Sequence, residues 1–151
     1  MGNKKIERHV GDIVKVRLED GDFCFGRILE EPLVAFYDLK TVRISSVEEI
    51  VKRPILFKIW VMNHAINSGA WEVIGHHELE DDLKEPVRFF KQDPISKGVC
   101  LYINSEEVPA TREQCEGLDR AAVWNPEHVE DRLRDHYLGV PNQWVESLKL
   151  K

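Results

Sequence analysis

The sequence predicts a mainly β protein of the α+β class: a twisted antiparallel sheet or SH3-like half-barrel with C-terminal helices packed on it. Two observations predict this fold. Residues 11–104 consist largely of short apolar segments, alternating or continuous, that are separated by turn residues. Within residues 111–148 the apolar period changes to that of a helix. Because 151 residues can bury a sizeable core, we expect a single domain over residues 1–151.

The first third of the chain has the pattern of three β-strands. Asp12–Leu18 and Phe23–Glu31 flank the turn sequence Glu19–Asp22, which predicts a hairpin. Gly26 in the second arm indicates a bulge or a bend. Leu33–Tyr37 is apolar on both faces, as expected of a central strand that is covered on each side. A small open barrel commonly begins with three strands of this kind.

Four further segments continue the β pattern. Ile55–Met62 is the most continuous apolar segment, and we expect it to be the core strand. Trp71–Leu79 alternates, while Val87–Phe90 and Val99–Ile103 are shorter apolar segments. Glu80–Pro86 follows the alternating segment and predicts an acidic loop. We therefore expect the sheet to be built almost entirely from residues before position 105.

Helix signals occur at three places. Ser46–Glu49 and Thr111–Gln114 each fit a capping box, in which two side chains satisfy free amides of the first turn. Asn125–Pro126 predicts a third helix start, because asparagine caps well and proline is favoured at the first helical position. Gly139 predicts the end of that helix. Three apolar residues at four-residue spacing predict the face that docks on the sheet: Val129, Leu133 and Tyr137.

The motifs of several function classes are missing from the sequence. Cys24, Cys100 and Cys115 form no CxxC pair, and we expect them to be structural thiols. His76 and His77 are adjacent on a predicted strand, so their side chains point to opposite faces and do not suit one metal ion. There is no phosphate-binding glycine pattern and no local nucleophile signature. We expect no catalytic residue, no metal and no cofactor.

The predicted location and the charge of the protein limit the classes of partner that it can bind. Met1–Val10 is polar and basic, which does not fit a secretory signal, and no apolar segment approaches the roughly 20 residues that span a bilayer. We expect a cytoplasmic protein.

The charge is unevenly distributed: residues 1–75 carry 11 basic and 11 acidic residues, whereas residues 76–151 carry 10 basic and 16 acidic residues. An acidic surface repels nucleic acid and attracts basic proteins, so direct nucleic-acid binding is not expected.

Two groups of carboxylates in the second half are candidates for contact with a basic partner. The alternative interpretation of each group is an ordinary solvated surface. The first group lies in and beside the predicted acidic loop: Glu78, Glu80, Asp81, Asp82 and Glu85. The second group is predicted to face mostly solvent on the C-terminal helix: Glu127, Glu130, Asp131 and Asp135.

The four tryptophans divide into two pairs. Trp60 and Trp71 lie in predicted strands, where we expect them in the core. Trp124 and Trp144 flank the C-terminal helix, where they either dock that helix on the sheet or anchor a protein interface. The sequence leaves these two roles open.

The chain resembles the immunity protein 26 family of bacterial polymorphic toxin systems. The similar segments, in order, are GDIVKVRLEDGDFCFGRILEEPLVAFYD (Gly11–Asp38), LFKIWVMNHAINSGAWEVIG (Leu56–Gly75), FFKQDP (Phe89–Pro94) and CEGLDRAAVWNPEHVEDRLRDHY (Cys115–Tyr137). The resemblance implies a mostly β protein that binds and silences a cognate toxin domain inside the producing cell. Many targets of immunity proteins are basic nuclease domains, which the acidic second half would suit. The resemblance supplies no catalytic motif and no map of binding residues.

Two other functions are compatible with parts of the sequence. The N-terminal hairpin also suits an SH3-like or Tudor-like interaction module, which would need an exposed aromatic cage. The many carboxylates also suit an uncharacterised hydrolase, which would need a pocket with two convergent carboxylates.

Overall fold

The computed structural model describes residues 5–151, so the first four residues of the polar segment Met1–Val10 lie outside the described part. Nine strands occur in the described residues: β1 Asp12–Arg17, β2 Phe23–Ile28, β3 Leu33–Tyr37, β4 Ile55–Val61, β5 Glu72–His76, β6 Phe89–Gln92, β7 Val99–Ile103, β8 Glu106–Pro109 and β9 Val123–Trp124. Six helices accompany them over the same range: α1 Val47–Val51, α2 His64–Asn67, α3 Asp81–Lys84, α4 Arg112–Cys115, α5 Pro126–Leu138 and α6 Gln143–Leu148.

The strands form two sheets. The larger has six strands in the order β5-β1-β2-β3-β4-β9, and the smaller has the order β6-β7-β8. All pairings are antiparallel except that of β4 with β9, which is parallel. The predicted class, mainly β with helices, is confirmed. Within the described residues the outer strands β5 and β9 do not pair with each other, so the six-stranded sheet remains open rather than closing into a barrel.

The six-stranded sheet buries apolar side chains on both faces because successive residues of a strand point to opposite sides. One face, here named the α5 face, carries the larger cluster, in which Val14 and Phe36 pack with Trp71 and with Val129 and Leu133 of α5. The other, the α3 face, is covered by α1, through Ile50, and by α3, through Leu83. The main core therefore lies between the sheet and the C-terminal helices, as the fold class predicts.

Three expectations about the strands are corrected. The strands do not end before residue 105, because β8 belongs to the smaller sheet and β9 to the larger one. Ile55–Met62 is not the core strand: in β4 only Ile59 and Val61 are buried, because these two side chains point to the α5 face and join its cluster while their neighbours point to the other side. Trp60 is accordingly half-buried rather than in the core. Leu33–Tyr37 is the central strand, as predicted, with four of its five residues buried.

Gly26 does not mark a bulge; it is needed because a side chain at this position would not fit between its neighbours. Its register with both neighbouring strands is regular, whereas the irregularities lie at Ile13/Val14 and Phe36/Tyr37. A Cβ at Gly26 would come 3.1 Å from methyl carbons of Val14 and Val34. The glycine therefore lets the three central strands pack closely on the α5 face.

The predicted helix starts are confirmed, although the Ser46–Glu49 capping box forms only its serine half and four of the six helices in the described residues have five residues or fewer. Ser46 accepts a hydrogen bond from the Glu49 N–H, and Thr111–Gln114 forms a complete capping box. Glu80–Pro86 is not a plain loop, because residues 81–84 form the helical turn α3 with Leu83 buried beneath it. In residues 5–151 no helix has the length and apolar composition that a membrane crossing needs.

Helix α5 follows its sequence signals closely. The Asn125 side chain accepts a hydrogen bond from the Glu127 N–H at 2.9 Å, and Gly139 ends the helix at φ 69°. Val129 and Leu133 are fully buried. Tyr137 packs beside them and donates a hydrogen bond to Asp38 at 2.9 Å. The stripe predicted to dock this helix on the sheet does so.

Replacing Asn125 by alanine should lower the free energy of unfolding by about 1 kcal/mol, because the first turn of α5 loses its side-chain acceptor. The measurement is the urea midpoint of the variant beside that of Asn125→Ser, which keeps an acceptor. If Asn125→Ala and Asn125→Ser unfold at the same midpoint as the wild type, the cap contributes nothing measurable.

Candidate partner-binding surfaces

The two acidic groups lie on opposite faces of the six-stranded sheet. The first group surrounds Leu83, which packs on Leu29 and Ala35 of the α3 face. The second group is carried by α5, whose Val129 and Leu133 pack on the α5 face. A single flat partner surface cannot reach both sides of a sheet, so the two groups form two separate candidate surfaces.

The first group is held against the sheet by a buried arginine. The guanidinium of Arg27 is fully buried in β2. It donates to the carbonyl oxygens of Gly11, His77 and Glu78 at 2.9, 2.5 and 2.7 Å, and to the Tyr37 hydroxyl at 2.9 Å. These bonds fix the backbone that leads into α3. Arg27 is therefore the residue that positions the acidic segment.

Within this group, the carboxylates differ in how free they are. Glu80 is half-buried, and its carboxylate accepts from Arg27 at 3.3 Å and lies 3.0 Å from the His77 ring nitrogen. The remaining four members are exposed: Glu78, Asp81, Asp82 and Glu85. Glu80 thus has a structural role, while the exposed members are available to a partner.

Two carboxylates of the second group hold α5 in place. Glu130 accepts a hydrogen bond from the indole N–H of Trp71 at 2.9 Å, and Asp131 accepts one from Trp144 at 3.0 Å. Partial burial raises the pKa of Glu130 above its usual range. Glu127 is exposed. Each hydrogen bond pairs an indole N–H with a carboxylate oxygen, so these contacts contribute mainly to the docking of α5.

Two predicted contact residues are buried instead. Asp135 was expected to face solvent, yet it is only 7% exposed and accepts from the Asn142 side chain and from Arg134, each at 2.9 Å. The hydrogen bond from Arg134 lowers the pKa of Asp135. Trp124 is 4% exposed and belongs to the main core. Both are inaccessible to a partner in this conformation.

Trp144 is half-buried and docks the C-terminal segment. Its ring stacks on His128 with centroids 3.6 Å apart, and its N–H is used by Asp131. Of the two roles left open for Trp124 and Trp144, the structure favours docking for both.

A groove beside α5, here named the α5 groove, has a volume of about 430 Å³. It contains carboxylates and guanidinium groups in close proximity: Arg17, Glu19, Glu127, Glu130, Asp131 and Arg134. Arg134 lies 3.1 Å from Asp131 and 3.8 Å from Glu19. Much of the negative charge of this groove is therefore already neutralised within the chain.

A larger groove, named the inter-sheet groove, runs between the two sheets and has a volume of about 610 Å³. Trp60 of β4 bridges the sheets: its ring centroid lies 4.9 Å from Phe89 and 5.4 Å from Tyr102. One wall is made by α3 and the residues after it, including Leu83 and Glu85. The first acidic group thus borders an aromatic groove, a juxtaposition that is invisible in the sequence.

Cysteine and histidine chemistry has little support in the described residues. Burial raises the pKa of the Cys24 thiol to about 12, so this group stays protonated at neutral pH. All three cysteines are free. His76 lies 2.8 Å from Asp12, while His77 contacts Glu80. Within residues 5–151 no cluster of three or more His, Cys, Asp or Glu side chains has the arrangement of a metal site.

The role of Arg27 is not among the predictions from the sequence, and the prediction that Trp60 lies in the core is wrong. A signal for Arg27 exists, since it occupies a position between Phe25 and Leu29 on a face whose other members are apolar. A cation at such a position predicts a buried polar network. No comparable signal marks Trp60, because its environment depends on the separate sheet that contains Phe89 and Tyr102.

A family model described as Immunity protein 26 matches residues 9–101, which is more than half of the chain. The matched range includes the first three of the four similar segments, and Cys115–Tyr137 lies beyond it. Comparisons with curated proteins and with solved structures find no match.

Proposed function

The chain belongs to the immunity protein 26 family, and we propose that it neutralises a cognate toxin domain by binding it stoichiometrically. The complex would cover the active site or the substrate groove of the toxin. Family membership is the observation that carries this proposal. A complex of ordinary size buries about 1,600 Å² in total, which a chain of 151 residues can supply.

The exposed carboxylates support a basic toxin domain as the partner. Exposed carboxylates such as Asp81 and Asp82 attract a basic domain and raise the rate of association. A basic nuclease fits best, because carboxylates can occupy the positions that the phosphates of its substrate would take. The same charges oppose direct contact of this chain with nucleic acid.

The proposal places the chain in the cytoplasm and assigns it no catalysis. A toxin made by the producing cell has to be met in the compartment where it acts, so the complex forms inside that cell. A binder needs neither a nucleophile nor a metal, and the protonated thiol of Cys24 does not suggest one. The alternatives, an SH3-like or Tudor-like module and a hydrolase, make different predictions in the experiment below.

The test is a titration of the toxin domain encoded beside this chain. A binder protects only when it is present in at least equimolar amount, so residual toxin activity should fall linearly and reach its minimum at one chain per toxin. Size-exclusion chromatography with light scattering should show the corresponding complex. The control is heat-unfolded protein at the same concentration.

Protection at a small fraction of the toxin concentration would indicate turnover and would favour the hydrolase. Full toxin activity at a molar excess of the chain, with no complex, would refute the proposed function. In that case a screen for methylated or proline-rich peptides would address the interaction module.

A further inference from the structure

We infer that the inter-sheet groove is where the toxin docks, and that its occupant is a basic segment of the toxin with an arginine or lysine over Trp60. This inference rests on the proposed function and adds to it the surface and the chemistry of the contact. The α5 groove, although also acidic, is not the principal site.

The floor of the inter-sheet groove is aromatic and accessible. Trp60 and Tyr102 are half-buried, and their rings meet edge to face at 81°. Phe89 supports Trp60 from below and is almost fully buried. Val123, which pairs with Trp60, is 49% exposed at the edge of the groove. Aromatic side chains in a shallow pocket are the usual anchors of protein interfaces.

The rim of the groove is negative. Its carboxylates are Glu30, Glu31 and Glu85, all exposed, and the cation in its lining is Lys84. The Arg8 guanidinium also lies beside the rim, where it donates to the carbonyl oxygens of Leu29 and Leu33 and is attracted to Glu31. Lys84 already lies 3.9 Å from Asp81. The exposed Asp81 and Asp82 on α3 extend the negative charge beyond the rim. A cationic segment is therefore complementary to the groove, whereas an acidic or phosphate-bearing one is repelled.

The combination of floor and rim favours arginine or lysine in particular. The stem of such a side chain covers apolar surface while its charged end reaches carboxylates, and the charge is also attracted to the face of an indole ring. The chain shows the same chemistry within itself, because the Lys91 ammonium lies 4.2 Å from the Tyr102 ring centroid and 3.1 Å from Glu107.

The α5 groove lacks the aromatic floor, and its carboxylates are less free to bind a partner. Two of its carboxylates, Glu130 and Asp131, are hydrogen-bonded to indole N–H groups, and Arg17 and Arg134 supply positive charge. Its lining includes one apolar side chain, Leu18, and no aromatic ring among the residues described there. The linings of the two grooves carry the same formal charge of −2. A cationic segment would therefore gain less in the α5 groove mainly because it would bury less apolar area there.

The experiment compares two charge-reversal variants of equal net charge for binding to the neighbouring toxin domain. Glu30→Lys with Glu85→Lys alters the inter-sheet groove, and Glu19→Lys with Glu127→Lys alters the α5 groove. All four positions are exposed, so the fold should persist, as circular dichroism would check. We expect the first variant to bind at least about tenfold more weakly and the second to stay within about twofold of the wild type.

Trp60→Ala provides a second variant that leaves the charge unchanged. It should also weaken binding at least about tenfold, and Trp60→Phe should retain part of the affinity because a ring remains. If Trp60→Ala fails to fold, the charge-reversal variants still test whether the toxin docks in the inter-sheet groove. Wild-type affinity in Glu30→Lys/Glu85→Lys overturns the groove inference alone. Absence of toxin binding by the wild type refutes the proposed function, and the groove inference with it.

Discussion

Replacing Arg27 by alanine is expected to lower the free energy of unfolding by about 3–5 kcal/mol. The substitution removes a fully buried guanidinium and its hydrogen bonds to the carbonyl oxygens of Gly11, His77 and Glu78. The Gly11 oxygen keeps the His77 N–H at 3.1 Å and the Glu78 oxygen stays 2.8 Å from the His77 ring nitrogen, so the loss falls mainly on the His77 oxygen. An acceptor that is left buried and unpaired is costly because it has lost water without gaining a partner, and the Tyr37 hydroxyl also loses its contact with the guanidinium. The measurement is the urea unfolding curve of the variant.

Two further variants separate the network from the ion pair. Glu80→Gln keeps an oxygen acceptor at a half-exposed position, so it should cost less than about 1 kcal/mol. Arg27→Lys keeps the charge, but a lysine cannot reach all the acceptors at once. Its loss in free energy of unfolding should therefore lie between those of Arg27→Ala and Glu80→Gln. An Arg27→Ala variant as stable as Glu80→Gln would show that water replaces the guanidinium without loss.

Replacing Leu133 by alanine should cost about 2–5 kcal/mol, because this side chain is fully buried between α5 and the sheet. The loss combines the transfer of apolar atoms out of the core with the cavity that remains. Thermal and urea unfolding of the purified variant provide the measurement.

Leu138→Ala is the matched control on the same helix. Leu138 is 66% exposed, so its truncation should change stability by less than about 0.5 kcal/mol. An unchanged denaturation midpoint for Leu133→Ala would mean that α5 does not depend on this stripe for docking.

The predictable parts of the fold are those encoded locally. The ends of α5 follow from the chemistry of Asn125, Pro126 and Gly139 alone, and the hairpin of β1 and β2 follows from alternation around a short turn. Division of the strands into two sheets is different in kind. Phe89–Gln92 has the same local pattern as a strand of the larger sheet, and only its pairing with β7 assigns it to the smaller one.

The sequence predicts which residues make up the candidate surfaces, but not all of their exposures nor the face of the sheet on which each surface lies. Asp81, Asp82 and Glu85 are exposed, as a charged segment suggests. Asp135 is buried because Asn142, beyond the end of α5, provides its partner, and a helical projection of α5 alone cannot show that. Likewise, the two acidic groups are separated by the sheet itself, a fact that depends on which face each helix covers.

The parallel pairing of β4 with β9 delays completion of the fold during synthesis. β4 ends at Val61, whereas β9 and α5 begin at Val123 and Pro126. A ribosome adding about 5–20 residues per second needs roughly 3–12 s to cover that interval. Until then the nascent chain exposes the apolar residues that α5 will cover, and chaperones or neighbouring chains can reach them. The core on the α5 face is therefore completed only after α5 has been synthesised, and not when the first strands form.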